Sequence, residues 1–176
     1  IDNALISYAD YGLFQSFTQP GSALSVKNTE FRSTDFYGLN IGLATGQSMT
    51  VNLQNVSYND IGRDSRYHAI FIDANNDSTL TGIWSGVHIN NVAGSGIFID
   101  DASSGLINPT ITGLTIGDTG TVGVNGIHLL GDATLAPLFN GTAGVNTING
   151  GNYNLVLDGV AGSYSDLTLS GARTSS

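Results

Sequence analysis

The chain has no cysteine, three prolines, one tryptophan and one lysine in 176 residues. Without cysteine there is neither a disulfide framework nor a thiolate metal site, so burial and hydrogen bonding alone must hold the fold. Five basic residues stand against 14 acidic ones, a formal net charge of −9. That balance argues against nucleic acid as a partner, because a phosphate backbone needs Lys and Arg to displace its counterions. Anionic membrane surfaces are disfavoured for the same reason. No apolar run approaches the roughly 18–20 residues of a transmembrane helix, so no membrane insertion is expected. No signal peptide is visible. Beginning at Ile1 rather than Met, the chain is expected to be a single domain over residues 1–176 and a piece of a longer chain or filament subunit.

What is abundant points elsewhere. Twenty-four glycines, with many Asn, Thr and Ser, favour turns and weaken helices. Hydrophobic residues still make up 40 %, and they fall in alternating runs, the pattern of ordered strands.

One short pattern recurs: a small or turn residue, then an apolar–variable–apolar triplet. It appears as Gly38-Leu39-Asn40-Ile41, Ala69-Ile70-Phe71-Ile72, Gly96-Ile97-Phe98-Ile99 and Gly126-Ile127-His128-Leu129. Gly12-Leu13-Phe14-Gln15 is an earlier copy and Asn154-Leu155-Val156-Leu157 a looser late one. From Leu13 through Leu39, Ile70, Ile97 and Ile127 the spacings are 26, 31, 27 and 30 residues. A second strand-like pattern fills the rest of each period. Leu24-Ser25-Val26-Lys27-Asn28 matches Val51–Asn55 at an offset of 27, and Val87–Asn91 matches the latter at 36. Alternation of this kind sends one side chain in and the next out.

No single period can bury its own apolar face, so the periods must stack, each strand bonding to its neighbours about 4.8 Å above and below. The expected ladders are Leu13, Leu39, Ile70, Ile97, Ile127, Leu155 and Gln15, Ile41, Ile72, Ile99, Leu129, Leu157. Asn28, Asn55 and Asn91 are expected to form an amide ladder at a turn. The predicted fold is all-β, a parallel β-helix or solenoid of about six coils. A two-sheet β-sandwich is the competing fold, but its strands would have no reason to repeat one triplet at this spacing.

Across essentially the whole chain this repeat resembles the right-handed β-helices of the pectin-lyase-like superfamily, most in character its surface and adhesin-type rods. The resemblance implies right-handed coiling and offers two functions. One is an extracellular structural or adhesive module, stacked on further coils or end to end on identical subunits. The alternative is a carbohydrate-active enzyme, a polysaccharide lyase or glycoside hydrolase, with polysaccharide as partner. The catalytic motifs of the polygalacturonases are mostly missing: Asp100-Asp101 could imitate their paired Asp, and Asn28-Thr29-Glu30 their first motif, but these lie 72 positions apart. No Gly-His-Gly or Arg-x-Lys follows.

Three groups of residues are candidates for function. The outward triplet position stacks Phe14, Asn40, Phe71, Phe98, His128 and Val156. Of these, Phe14, Phe71, Phe98 and His128 are the candidate glycan or partner contacts, unless a long turn folds over them. Asp73 and Asp100, with Asp101 beside them, would meet on adjacent coils, where Ca²⁺ would relieve their repulsion; as solvated turn builders they need no ion. The longest insertion, residues 60–68, holds Asp60, Arg63, Asp64, Arg66 and His68. In the enzyme alternative Asp60, Asp64, Arg66 and His68 carry the catalysis, with Asp60 brought over Asp118. In the plainer one they form a salt-bridged surface loop.

Overall fold

The computed structural model describes residues 1–17, 20–101, 106–117, 120–130, 138–139, 146–158, 167–169 and 174–175. They form a right-handed parallel β-solenoid of about five turns, close to the number expected from the repeat. One sheet stacks the triplet strands in the order β2 (Leu13–Phe17), β4 (Leu39–Leu43), β6 (Ile70–Ala74), β8 (Ile97–Asp101), β11 (Asn125–Leu130), β14 (Tyr153–Asp158) and β16 (Thr174–Ser175). The other carries the second pattern in β1 (Leu5–Ser7), β3 (Ser22–Thr34), β5 (Ser48–Ile61), β7 (Thr79–Val92), β10 (Thr115–Ile116), β13 (Asn146–Ile148) and β15 (Leu167–Leu169). Its remaining strands, β9 (Leu106–Thr112) and β12 (Leu138–Phe139), branch from β7.

The register is the one the triplets require. Leu13 pairs with Leu39, Leu39 with Ile70, Ile70 with Ile97, Ile97 with Ile127 and Ile127 with Leu155. Leu39, Ile41, Ile70, Ile72, Ile97, Ile99, Ile127 and Leu129 are all buried, one continuous apolar spine. The Gln15 rung pairs with Ile41 at the first coil of the stack.

The long strands of the second sheet are bent. Asn28, Ser33, Asn55, Asp60 and Asn91 all have φ between 47° and 57°, and Gly86 is close by at 61°. They fall five residues apart within each coil, at 28 and 33, 55 and 60, 86 and 91. At each such corner two successive side chains point outward, and the inward alternation restarts one residue later. In β3 the buried set is therefore Val26, Thr29, Phe31 and Thr34. Asn tolerates this left-handed conformation because its short amide bonds locally.

These five-residue arcs correct one expectation. Val87 pairs with Val56, not Val51, so the true offset is 31 residues and not 36. Asn55 does donate to Asn28 Oδ1 at 3.2 Å, but Asn91 stands in the neighbouring column, above Asp60. The column above Asn55 continues with Gly86. Both arcs of a coil read apolar–x–apolar–x–corner, so the sequence of Val87–Asn91 fits either. Packing decides: Trp84 is buried against Leu53, and its indole N–H donates to the Val51 carbonyl at 3.2 Å.

The glycines that open the first two triplets are set by packing across the coil. A Cβ on Gly38 would strike the Tyr58 ring and lie 2.8 Å from the Ala69 carbonyl oxygen; one on Gly12 would strike Phe31. Phe31 and Tyr58 themselves stack at 5.0 Å. Gly38→Ala is expected to cost roughly 1–3 kcal/mol through overpacking, read as a lowered urea midpoint. The Tyr58 hydroxyl is fully buried and has no hydrogen-bond partner among the described residues, whereas the ring below it is already Phe31. Tyr58→Phe is therefore expected to raise stability by about 1 kcal/mol in the same titration, since an unpaired buried hydroxyl carries its desolvation cost with nothing in return.

Candidate functional site

The outward triplet residues stand in one column. Phe14 pairs with Asn40, Asn40 with Phe71, Phe71 with Phe98, Phe98 with His128 and His128 with Val156. Parallel strands place these side chains about 4.8 Å apart, close to aromatic stacking distance. Phe71 and Phe98 are accordingly parallel at 5.6 Å, and His128 meets Phe98 edge-on at 4.7 Å.

The turn before each triplet adds a second set of rings; sequence reasoning named His68 only as a catalytic candidate and missed the others. Tyr11, Phe36 and Tyr37, and Tyr67 and His68 lie three or four residues ahead of Phe14, Asn40 and Phe71. That spacing is a legible signal once the turn is known to fold back over the strand. Tyr37 stacks on Phe71 at 5.1 Å, His68 covers Phe98 at 4.8 Å, and Tyr11 contacts Phe14, Phe36 and Tyr37. The expected stack is thus roofed over part of its length. Asn40 is buried, Phe71, Phe98 and His128 are half-buried, and Phe14 and Tyr11 keep 56 % and 39 % of their surface exposed. Burial, then the neighbouring Tyr11 and Tyr67, pushes the Tyr37 phenol above its ordinary range.

The insertion rises beside this corner. β5 reaches β6 through residues 62–69, whereas β3 reaches β4 through 35–38, so the extra length falls where the chain returns to the triplet sheet. Its side chains are engaged with one another. Arg66 grips Asp64 in a two-pronged pair, Nε to Oδ1 at 3.0 Å and a terminal nitrogen to Oδ2 at 2.8 Å, and the Arg66 backbone N–H also donates to Oδ1. The guanidinium, followed by that backbone bond, lowers the Asp64 carboxyl to about 2. Such a group stays ionised and is a poor proton donor. Arg63 lies 4.7 Å from the centroid of Phe36 and 5.8 Å from that of Tyr67, and Arg66 lies 5.5 Å from Tyr67.

His68 accepts the Ser95 backbone N–H on Nδ1 at 2.9 Å, which leaves the proton on Nε2. Burial, and secondarily the nearby His128, lowers its pKa to about 4. His68 is therefore neutral at physiological pH, with its free lone pair already taken. Of the four proposed catalytic residues, Asp64, Arg66 and His68 share the loop, while Asp60 sits at a left-handed corner of β5. Asp118, its expected partner, lies outside the described residues.

The acidic column runs Gly42, Asp73, Asp100, Leu130, Asp158. Asp73 and Asp100 are register neighbours as expected, and burial together with Asp100 raises the Asp73 carboxyl. Asp101 pairs with Ala74; its side chain lies outside the described residues. Among the described residues no group of three or more acidic, His or Cys side chains is placed to hold a metal ion.

No protein-family model, no curated protein and no solved structure shows significant similarity to this chain. The parallel solenoid rests on the strand register itself, with no family match beside it.

The half-buried His68 predicts an acid sensitivity. Its folded value near 4 lies below its ordinary 6.5, so the unfolded chain takes up a proton that the folded chain refuses. Stability from His68 is complete above pH about 6.5 and is lost between there and about 4, at most roughly 3 kcal/mol. Burial lowers His128 as well, against the pull of Asp158 and Asp100, and adds in the same sense; the raised Asp73 works in the opposite one. His68→Asn, which keeps an acceptor for Ser95, is expected to flatten the fall in urea midpoint across that window.

Proposed function

We propose that this chain is a structural, adhesive β-solenoid module, a rod segment of an extracellular surface protein, fibre or filament that meets a polysaccharide along its aromatic corner. In character it stands nearest the surface and adhesin-type rods of the pectin-lyase-like superfamily. The observation that carries the reading is the ring-to-ring chain from Tyr11 and Phe14 through Tyr37, Phe71 and Phe98 to His128. It follows the rod across successive coils, and its first members are open to solvent. The open rings of Tyr11 and Phe14 offer apolar surface of the kind that packs on sugar rings, and an exposed apolar patch marks a contact surface.

Two further features support an adhesive role over catalysis. Asp64 and Arg66 neutralise each other, and His68 is bonded to the main chain, so the acid–base candidates serve the loop. The parallel edge strands can also pair with a further coil, of this chain or of another copy, as exposed strand edges do.

The test is retention on a panel of immobilised neutral and acidic polysaccharides, with reducing-end release followed on pectate and alginate with and without Ca²⁺. Binding without product is expected. The Tyr11→Ala/Phe14→Ala variant should weaken it by roughly tenfold, at about 0.5–1.5 kcal/mol for each stacked ring. No retention on any polysaccharide overturns the adhesive role. Product release that disappears in Arg66→Ala puts a carbohydrate-active enzyme in its place.

A further inference from the structure

We propose that Asn149 is a latent self-modification site, an asparagine poised to close onto the Gly150 nitrogen and held dormant by the buried side chain of Asn154. Asn149 and Gly150 form the turn between β13 and β14. Gly150 has no Cβ to shield its amide nitrogen. The Asn149 side chain is exposed, and with Gly120, Thr121, Val122, Gly150 and Gly151 it lines a groove of about 180 Å³ open to water. Nucleophile, electrophile and water thus meet in one turn.

The reaction is balanced by water alone. The deprotonated Gly150 nitrogen attacks the side-chain carbonyl carbon of Asn149, a C–N bond forms and ammonia leaves, giving a five-membered cyclic imide. Water then opens the ring at either carbonyl, leaving Asp or its β-linked isomer. The net change is amide plus water to carboxylic acid plus ammonia.

The structure holds the first step back. The Gly150 N–H donates to Asn154 Oδ1 at 2.9 Å, and Asn154 is 2 % exposed. An N–H bound to a buried carbonyl keeps its proton, and the Asn149 side-chain amide is itself tied down, donating to the Gly117 carbonyl at 3.4 Å. The Asn149 backbone is fixed in turn by its bond to the Ile116 carbonyl at 2.9 Å. Asn154 occupies the column that opens each triplet, filled in earlier coils by Gly12, Gly38, Ala69, Gly96 and Gly126. It is there that the repeat exchanges a small residue for an amide. The β-linked product would add a methylene to the main chain beside β13, which pairs with both β10 and β15, and so disturb the register on both sides.

Conversion is measured by peptide mass mapping after incubation of the full chain in warm, mildly alkaline buffer. A synthetic peptide of residues 146–152 gives the unrestrained rate. Asn125-Gly126, buried in β11, reports any general loosening of the coils. In the native chain Asn149 should convert well below the peptide rate. Asn154→Ala should accelerate it by about 5- to 30-fold, the worth of one hydrogen bond to a buried group, with Asn125 unchanged. Asn154→Asp, which keeps an acceptor oxygen, should stay near the native rate. The proposal is overturned if native Asn149 matches the peptide, if Asn154→Ala leaves the rate unchanged, if Asn154→Asp is as fast as Asn154→Ala, or if Asn125 rises in parallel.

Discussion

The hydrogen-bonded register between parallel strands of successive coils is the constraint on which everything else in this molecule rests. Leu39 over Leu13, Ile70 over Leu39 and Ile97 over Ile70 is one choice of register, and it fixes all the others. Because side chains alternate across a strand, a slip of one residue would turn the apolar spine to water and bring Asn40, Phe71 and Phe98 inside. No disulfide reinforces the choice, since the chain has no cysteine. Specificity comes from burial on one face and from corners such as Asn28 and Asn55, where amide-to-amide bonding adds a directional contact between coils.

The same register produces the outer surface. Whatever residue type recurs at an outward position of the triplet strands becomes a row of like groups at strand spacing, whether the phenyl rings of Phe71 and Phe98 or the carboxylates of Asp73 and Asp100. Rings at that spacing attract, so that row packs, whereas burial first and the neighbouring Asp100 second raise the Asp73 carboxyl. The insertion beside the rings follows a related logic. A longer return between β5 and β6 must cover itself, and it does so by laying Arg63 and Tyr67 over Phe36 and by closing Arg66 onto Asp64. Asp64 and Arg66, two of the acid–base candidates, are bonded to each other within this loop.

The coil openings show how cross-sectional packing shapes local choices. Gly12 and Gly38 are small because Phe31 and Tyr58 fill the space their side chains would need. In the last of these openings stands Asn154, which accepts the Gly150 N–H on its side-chain oxygen. The turn from Gly150 to Asn154 is built around that buried bond to the main chain.

The linear sequence was sufficient for the solenoid, its two strand patterns and the order of the triplet ladder, because a period-two alternation repeated every coil has one arrangement that buries all its apolar members. It also placed Phe14, Phe71, Phe98 and His128 in one column and Asp73 beside Asp100. It could not choose between the two arcs of a coil for Val87–Asn91, since both have the same alternation; the bulk of Trp84 beside Leu53 made that choice. Nor could it show that Tyr11, Tyr37 and His68 fold over the ring column, or that Ser95 takes the lone pair of His68. Those contacts join residues on different coils or across a turn whose path only packing sets, and local pattern carries no information about them.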